Sequence, residues 1–376
     1  MVGRRGIVLL QGVPSSTLYP RKDLMKRFLI KIAAFILVLA VIFLPITIAV
    51  DPYNVFHYAN PRSNGVEPNK NFIKTKYILN NQDKFDSLVF GSSRAGFFHV
   101  DMLPDGTYYD MASSEALPAE HVRTLKILIK NGFTPKNVIV MVDDISCFVD
   151  PATHENVLYR VPYPEDDLFS QISFYLRYCD LLTTFESMDV ILNHQNTDLD
   201  YTERFRTTGT ENLNIAPEFD GTMDGAPAVG YWADYYSLRT EEAIADMQEL
   251  INLCKENNIN LKIVTNPLYY LTYEKAVENG YLDFLEELSK ITDFYNFSSI
   301  SSVTTTNGCY YETSHFTPQV GIWMIGAIYE DNIDKPVKDQ GFGVHVTEEN
   351  REEFIQFLHD QAIENDIIPY QEEESE

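Results

Sequence analysis

The hydrophobic and polar positions divide the chain into one long apolar run, a series of short apolar strands and amphipathic helices, and a stretch with neither period. Ser87 to Phe90 is a short apolar strand that runs straight into Gly91-Ser-Ser-Arg94. From Pro118 to Lys130, Val122, Leu125, Leu128 and Ile129 fall on one helical face, with Pro118 at an early helical position and Gly132 as the stop. Asn137 to Val142 reads as a buried strand ending at Asp143 and Asp144. The alternation resumes with a helix over Glu241 to Glu256, a strand over Leu261 to Val264 and a helix over Leu282 to Lys290. A short strand over Asp293 to Phe297, a core helix over Pro318 to Tyr329 and a last helix near Glu348 to Gln361 complete it. This rhythm predicts an α/β fold with a mainly parallel sheet and helices on both faces. Such sheets bind ligands at the carboxyl ends of their strands.

Two segments break the rhythm. Residues 148–236, rich in Tyr, Asp and Asn, read as an insertion on that rim. Its cluster Tyr231, Trp232, Tyr235 and Tyr236 suits either stacking on sugar rings or packing beneath the insertion. Residues 51–84, rich in Asn, Pro and Tyr, read as a stalk or a wrap, and the domain proper as 85–330. Residues 331–376 supply the last helix and a solvated acidic tail, QEEESE.

Ile32 to Val50 is nineteen residues without a charge. At about 1.5 Å per residue it nearly crosses a hydrocarbon core of about 30 Å. A signal peptide with Thr47-Ile-Ala49 as its cleavage site is the alternative, but such apolar regions run to about 7–15 residues, so an uncleaved anchor is expected. Residues 1–31 carry seven bases and one acid, a net +6, whereas everything after Val50 carries 22 bases and 54 acids, a net −32. The bias predicts a cytoplasmic N-terminus over 1–31, a transmembrane helix over 32–50 and an exported domain. Met25 opens a complete anchor, MKRFLIKI, so residues 1–24 are expected to be an untranslated upstream stretch.

The acidic balance argues against a nucleic-acid partner. A hydrophobic content of 45% with 13% aromatics argues against a disordered chain. Cys147, Cys179, Cys254 and Cys309 show no zinc spacing and no dense disulfide framework, and neither metal nor organic cofactor is expected.

Ser92 and Ser93 stand where an apolar strand ends and Gly91 permits a sharp turn, the place for a nucleophile. Serine needs a base to take its proton, and the base needs an orienting acid. Tyr311-Glu-Thr-Ser-His315 offers both, three residues apart, just before the last core helix. On these blocks the chain resembles the SGNH, or GDSL-like, hydrolase superfamily. Phe90-Gly-Ser-Ser-Arg94 resembles the nucleophile block, which makes Ser93 the nucleophile, and Glu312-Thr-Ser-His315 resembles the acid and base block, with His315 as base and Glu312 as its orienting acid. The Gly-Ser-Ser-Arg version, the anchor and Ser314-His-Phe-Thr-Pro-Gln-Val-Gly321 are more like the envelope branch, which includes the teichoic-acid D-alanyl transfer and alginate acetylation proteins.

The resemblance implies a three-layer, flavodoxin-like sandwich and a serine esterase or acyltransferase. It also implies a cell-envelope polysaccharide or teichoic-acid-like acceptor and a membrane-bound acyl-donor protein as partners. Two blocks depart from the family. Met111-Ala-Ser-Ser114 replaces a Gly of the oxyanion hole, leaving a backbone N–H of Ser113 or Ser114 as donor, and Asp143-Asp144 stands where the family has an Asn. A carboxylate there would repel an oxyanion, so Asp144 either orients an acceptor hydroxyl or amine, or activity is low or absent. The alternative reading is therefore a silent domain that binds a glycan or partner protein in envelope assembly.

Other candidates have plain readings. Arg94 is either a clamp for a substrate anion or part of an ion pair near Asp101 or Glu115; His99 and His121 read as surface or core histidines; Asn266-Pro267 either lines the pocket or simply stops a strand.

Overall fold

The computed structural model describes residues 19–62, 64–164, 167–193, 198–210 and 238–369. Six strands form a sheet among them: β1 (Ser87–Gly91), β2 (Tyr108–Asp110), β3 (Asn137–Val142), β4 (Asn260–Thr265), β5 (Phe294–Asn296) and β6 (Val344–Val346), in the order β2-β1-β3-β4-β5-β6. The first five are parallel; β6 runs antiparallel to β5. Side chains alternate between the faces, so Val89, Ile139, Met141 and Val264 enter one hydrophobic cluster while Leu88, Phe90, Val138, Val140 and Ile263 enter another. Because both faces are buried, the central strands read as continuous apolar runs.

The helices are α1 (Tyr19–Val50), α2 (Lys70–Leu79), α3 (Pro118–Lys130), α4 (Asp144–Phe148), α5 (Leu168–Arg177), α6 (Leu181–Asn193), α7 (Asp198–Thr207), α8 (Thr240–Glu256), α9 (Tyr270–Glu278), α10 (Tyr281–Ile291), α11 (Pro318–Glu330), α12 (Lys335–Lys338) and α13 (Arg351–Glu364). Helices α2, α3, α8, α9, α10 and α13 pack into the cluster that holds Leu88 and Phe90, and α11 with the turn after β1 supplies much of the cluster that holds Val89 and Met141. Helix α1 exceeds the charge-free run at its N-terminal end, and Leu24–Val50, 27 residues, is long and apolar enough to cross a membrane.

The segment 51–84 is not a free stalk. The Asp51 carboxylate accepts the backbone N–H groups of Val55, Phe56 and His57 at 2.7–2.9 Å, and α2 buries Phe72, Ile73, Tyr77 and Ile78 in the core. The helix escapes pattern reading because two of its buried positions are Lys70 and Lys74; the Lys74 ammonium is satisfied by the Ala112 carbonyl at 2.7 Å. The described part of 148–236 is likewise integral. Phe205 lies against Tyr77 with ring centroids 5.1 Å apart, and the Asp110 N–H donates to the Thr208 carbonyl at 2.7 Å. Tyr231, Trp232, Tyr235 and Tyr236, the tail and residues 1–18 lie outside the described residues. All four cysteines are free thiols.

Candidate active site

The strand order reverses at β1, which has β2 on one side and β3 on the other, and a crevice at such a switch point lies beyond the carboxyl ends of the strands. Ser93 stands there, partly exposed, opening the 3₁₀ turn Ser93–Phe97. Gly91 makes the turn feasible: a Cβ on it would meet the Ala95 Cβ at 2.6 Å. Ser92 turns inward and donates its hydroxyl hydrogen to Asp143 Oδ2 at 2.6 Å, so of the two serines it is Ser93 that faces the crevice.

The Glu312–His315 block forms a tight loop closed by an antiparallel bridge between Tyr310 and Phe316, with the Tyr311 N–H on the His315 carbonyl at 2.9 Å. The Thr272 hydroxyl, on α9, donates to the Thr313 carbonyl at 2.6 Å, and Arg94 Nε donates to the Ser314 carbonyl at 2.7 Å. Held this way, His315 puts Nε2 2.8 Å from Ser93 Oγ while its Nδ1 bonds Glu312 Oε1. The second Glu312 oxygen accepts the Ser314 N–H at 2.7 Å. Residues 222 positions apart thus make one chain, Ser93–His315–Glu312. With Nδ1–H committed to a carboxylate, Nε2 is left to accept a proton. Burial opposes ionisation of Glu312, but the hydrogen bond and charge of His315, the Ser314 N–H and the charge of Arg94 outweigh it and hold the carboxyl below its ordinary range. The His315 and Glu312 side chains are 26% and 35% exposed, so solutes reach them.

Beneath this chain the structure corrects the expectations for Asp144 and Arg94. Asp144 is buried, with Oδ1 2.6 Å from Arg94 Nη1, so it neither faces an acceptor nor presents bare charge to an oxyanion. Arg94 is 2% exposed and also pairs with Asp143 Oδ2 at 2.9 Å; its partners are these two carboxylates rather than Asp101 or Glu115. Asn266 is buried too and donates to Asp143 Oδ2 at 3.0 Å instead of lining the crevice. His121 is buried beside Phe90, which pushes it down to about 4 and keeps it neutral; His99 lies 3.8 Å from Asp101.

The Ser113 N–H is spent on the Gly91 carbonyl at 3.3 Å and its hydroxyl on Asn71 Oδ1 at 2.8 Å, which removes Ser113 as an oxyanion donor. The Ser114 hydroxyl donates to Glu67, while among the described residues its N–H, like that of Ser93, meets no protein acceptor.

The loop after Ser114 is clamped by an ion cluster that sequence reading missed, because its members are scattered. Buried His154 has Nδ1 2.9 Å from Glu120 and Nε2 3.6 Å from Glu115, and Arg160 pairs with Glu115 at 2.6 Å. Burial alone would lower the His154 value, but Glu115 and Glu120 raise it to about 9. Its contribution to stability is complete below pH 6.5 and is lost as pH rises through about 9. The shift corresponds to about 3 kcal/mol. The advantage of the native chain over His154→Gln in urea melts is therefore expected to shrink across that window; an advantage independent of pH would contradict this.

Among the described residues no group of three or more His, Cys, Asp or Glu is placed to hold a metal ion. A cleft of about 1160 Å³ between α10 and α13 is lined by none of Ser93, Glu312 and His315. Compared with known proteins, the chain matches no family model and no curated protein.

Proposed function

We propose that the chain is a membrane-anchored serine esterase or acyltransferase of the SGNH type, with its domain outside the cell, acting on acyl esters of an envelope glycopolymer. The observation that carries this reading is the hydrogen-bonded chain Ser93–His315–Glu312 at the carboxyl edge of a mostly parallel sheet. The two buried sheet faces favour a three-layer arrangement, and the apolar α1 favours an anchor. Glycopolymer, acyl-donor partner and outward orientation follow the family resemblance and the charge bias.

Ser93 Oγ attacks the ester carbonyl carbon as its proton passes to His315 Nε2, giving a tetrahedral oxyanion. The N–H groups of Ser93 and Ser114 are the assigned oxyanion donors. Collapse expels the alcohol, which takes the proton from His315, and leaves an acyl-Ser93 ester. Water or a sugar hydroxyl then gives its proton to His315 as it attacks the acyl carbon, and the second tetrahedral intermediate collapses as His315 returns that proton to the departing Ser93 Oγ. Glu312 keeps the imidazole in the correct tautomer and offsets its charge. The pairing of Asp144 with Arg94 weakens the main argument for a silent domain, since that carboxylate is compensated.

The test is labelling of the full-length protein in detergent with a fluorophosphonate, read by mass spectrometry. A stoichiometric adduct on Ser93, absent from Ser93→Ala and His315→Ala, is expected. A folded protein that forms no adduct would favour the silent, ligand-binding domain.

A further inference from the structure

We propose that α5 and α6 form an interfacial foot that seats the domain on the lipid bilayer, beside the point where α1 leaves it; this rests on reading α1 as a membrane anchor. Both helices present apolar residues outward. On α5, Phe169, Ile172 and Leu176, spaced i, i+3, i+7 on one face, are 81%, 51% and 61% exposed. The opposite face carries Phe174, stacked on Phe72 of α2 with ring centroids 4.6 Å apart, so the helix is anchored in the core and cannot turn its apolar side inward. On α6, Leu182, Phe185 and Leu192 are 71%, 50% and 67% exposed. A helix facing only water would put polar residues at these positions, and contiguous exposed apolar surface marks an interaction site.

The occupant follows from where α1 meets α6. Phe43 lies edge-on to Phe185 at 6.5 Å, and Thr47 and Thr184, both fully buried, bring their hydroxyls within 3.3 Å. The charge-free run begins at Ile32 and ends at Val50. Phe43 therefore precedes the end of the run by seven residues, about 10 Å along the helix. Interfacial helices bury their apolar faces about 5–10 Å into the headgroup and acyl boundary. Contact with α1 at that height places the α6 apolar face at the depth such helices occupy, and α5, three residues before α6 in the chain, is assigned to the same foot. The foot would fix the height and tilt of the domain, and with them the approach of the Ser93 crevice to acyl groups held at the membrane.

The test places single tryptophans in the full chain, after Trp232→Phe and Trp323→Phe, reconstituted in phosphatidylcholine vesicles with lipids dibrominated near the top or near the end of the acyl chain. Val41→Trp, in mid-run, reports the anchor; Phe169→Trp and Phe185→Trp report the foot. The expected result is loss of Val41→Trp emission with deep bromines, and loss of Phe169→Trp and Phe185→Trp emission mainly with shallow ones. Quenching of Val41→Trp with unquenched, water-like emission from both foot positions would overturn the foot and leave the anchor standing; solvent or a protein partner would then own that face. An unquenched Val41→Trp would remove the anchor and the foot together.

Discussion

Replacing His315 by Ala is expected to lower turnover of an acyl ester by on the order of 10⁶, and Glu312→Gln by on the order of 10⁴, the magnitudes seen where nucleophile, base and acid act as one unit. His315 Nε2, 2.8 Å from Ser93 Oγ, is the base of the proposed mechanism, and without it the hydroxyl would have nowhere to send its proton. Glu312→Gln retains shape but offers an amide to Nδ1, which favours the wrong imidazole tautomer and leaves the imidazolium uncompensated. Because the residues work in series, Ser93→Ala combined with His315→Ala is expected to be no slower than either alone. Steady-state hydrolysis of a 4-nitrophenyl ester measures all four variants. Rates within tenfold of the native chain for His315→Ala would remove the assignment.

Arg94→Met is expected to cost about 3–5 kcal/mol, because removing one partner of a buried ion network strands the others. Against a typical total of about 5–15 kcal/mol this is a large share. Arg94 holds two buried carboxylates, Asp143 and Asp144, through Nη1 and ties the His315 loop through Nε to the Ser314 carbonyl. Lysine carries the charge but not the fork, so Arg94→Lys is expected to recover part of the stability while leaving the loop less firmly held. Urea midpoints should then rank native above Arg94→Lys above Arg94→Met, and fluorophosphonate labelling of Arg94→Lys should be slower than native although the protein is folded. A native-like midpoint for Arg94→Met would show that the network adds nothing to stability.

The same Arg94 shows where sequence reading stops. Its type and place beside Ser93 are visible in the chain, but whether it faces substrate or core depends on which carboxylates β3 delivers. Asp143 and Asp144 reach it only because β1 and β3 are neighbours in register, Gly91 opposite Met141. Asp144 itself looks like a group aimed at substrate until its burial is seen. Short elements were hidden for a different reason. The three-residue strands β2 and β6 are too brief to show a period, and α2 buries two lysines, of which Lys74 finds its partner only at the distant Ala112 carbonyl.

Local physics was enough for the rest. Two-residue alternation and helical spacing mark elements one at a time, so β1, β3, β4, α3, α8 and α11 are readable from the chain, as are the apolar α1 and the serine, acid and histidine suited to acyl chemistry. What pairs with what is a property of the closed fold. The juxtaposition of Ser93 with a histidine 222 residues away, the compensation of Asp144 by Arg94 and the contact of α1 with α6 come from strand order and helix packing, and no window along the chain contains both partners of any of these contacts.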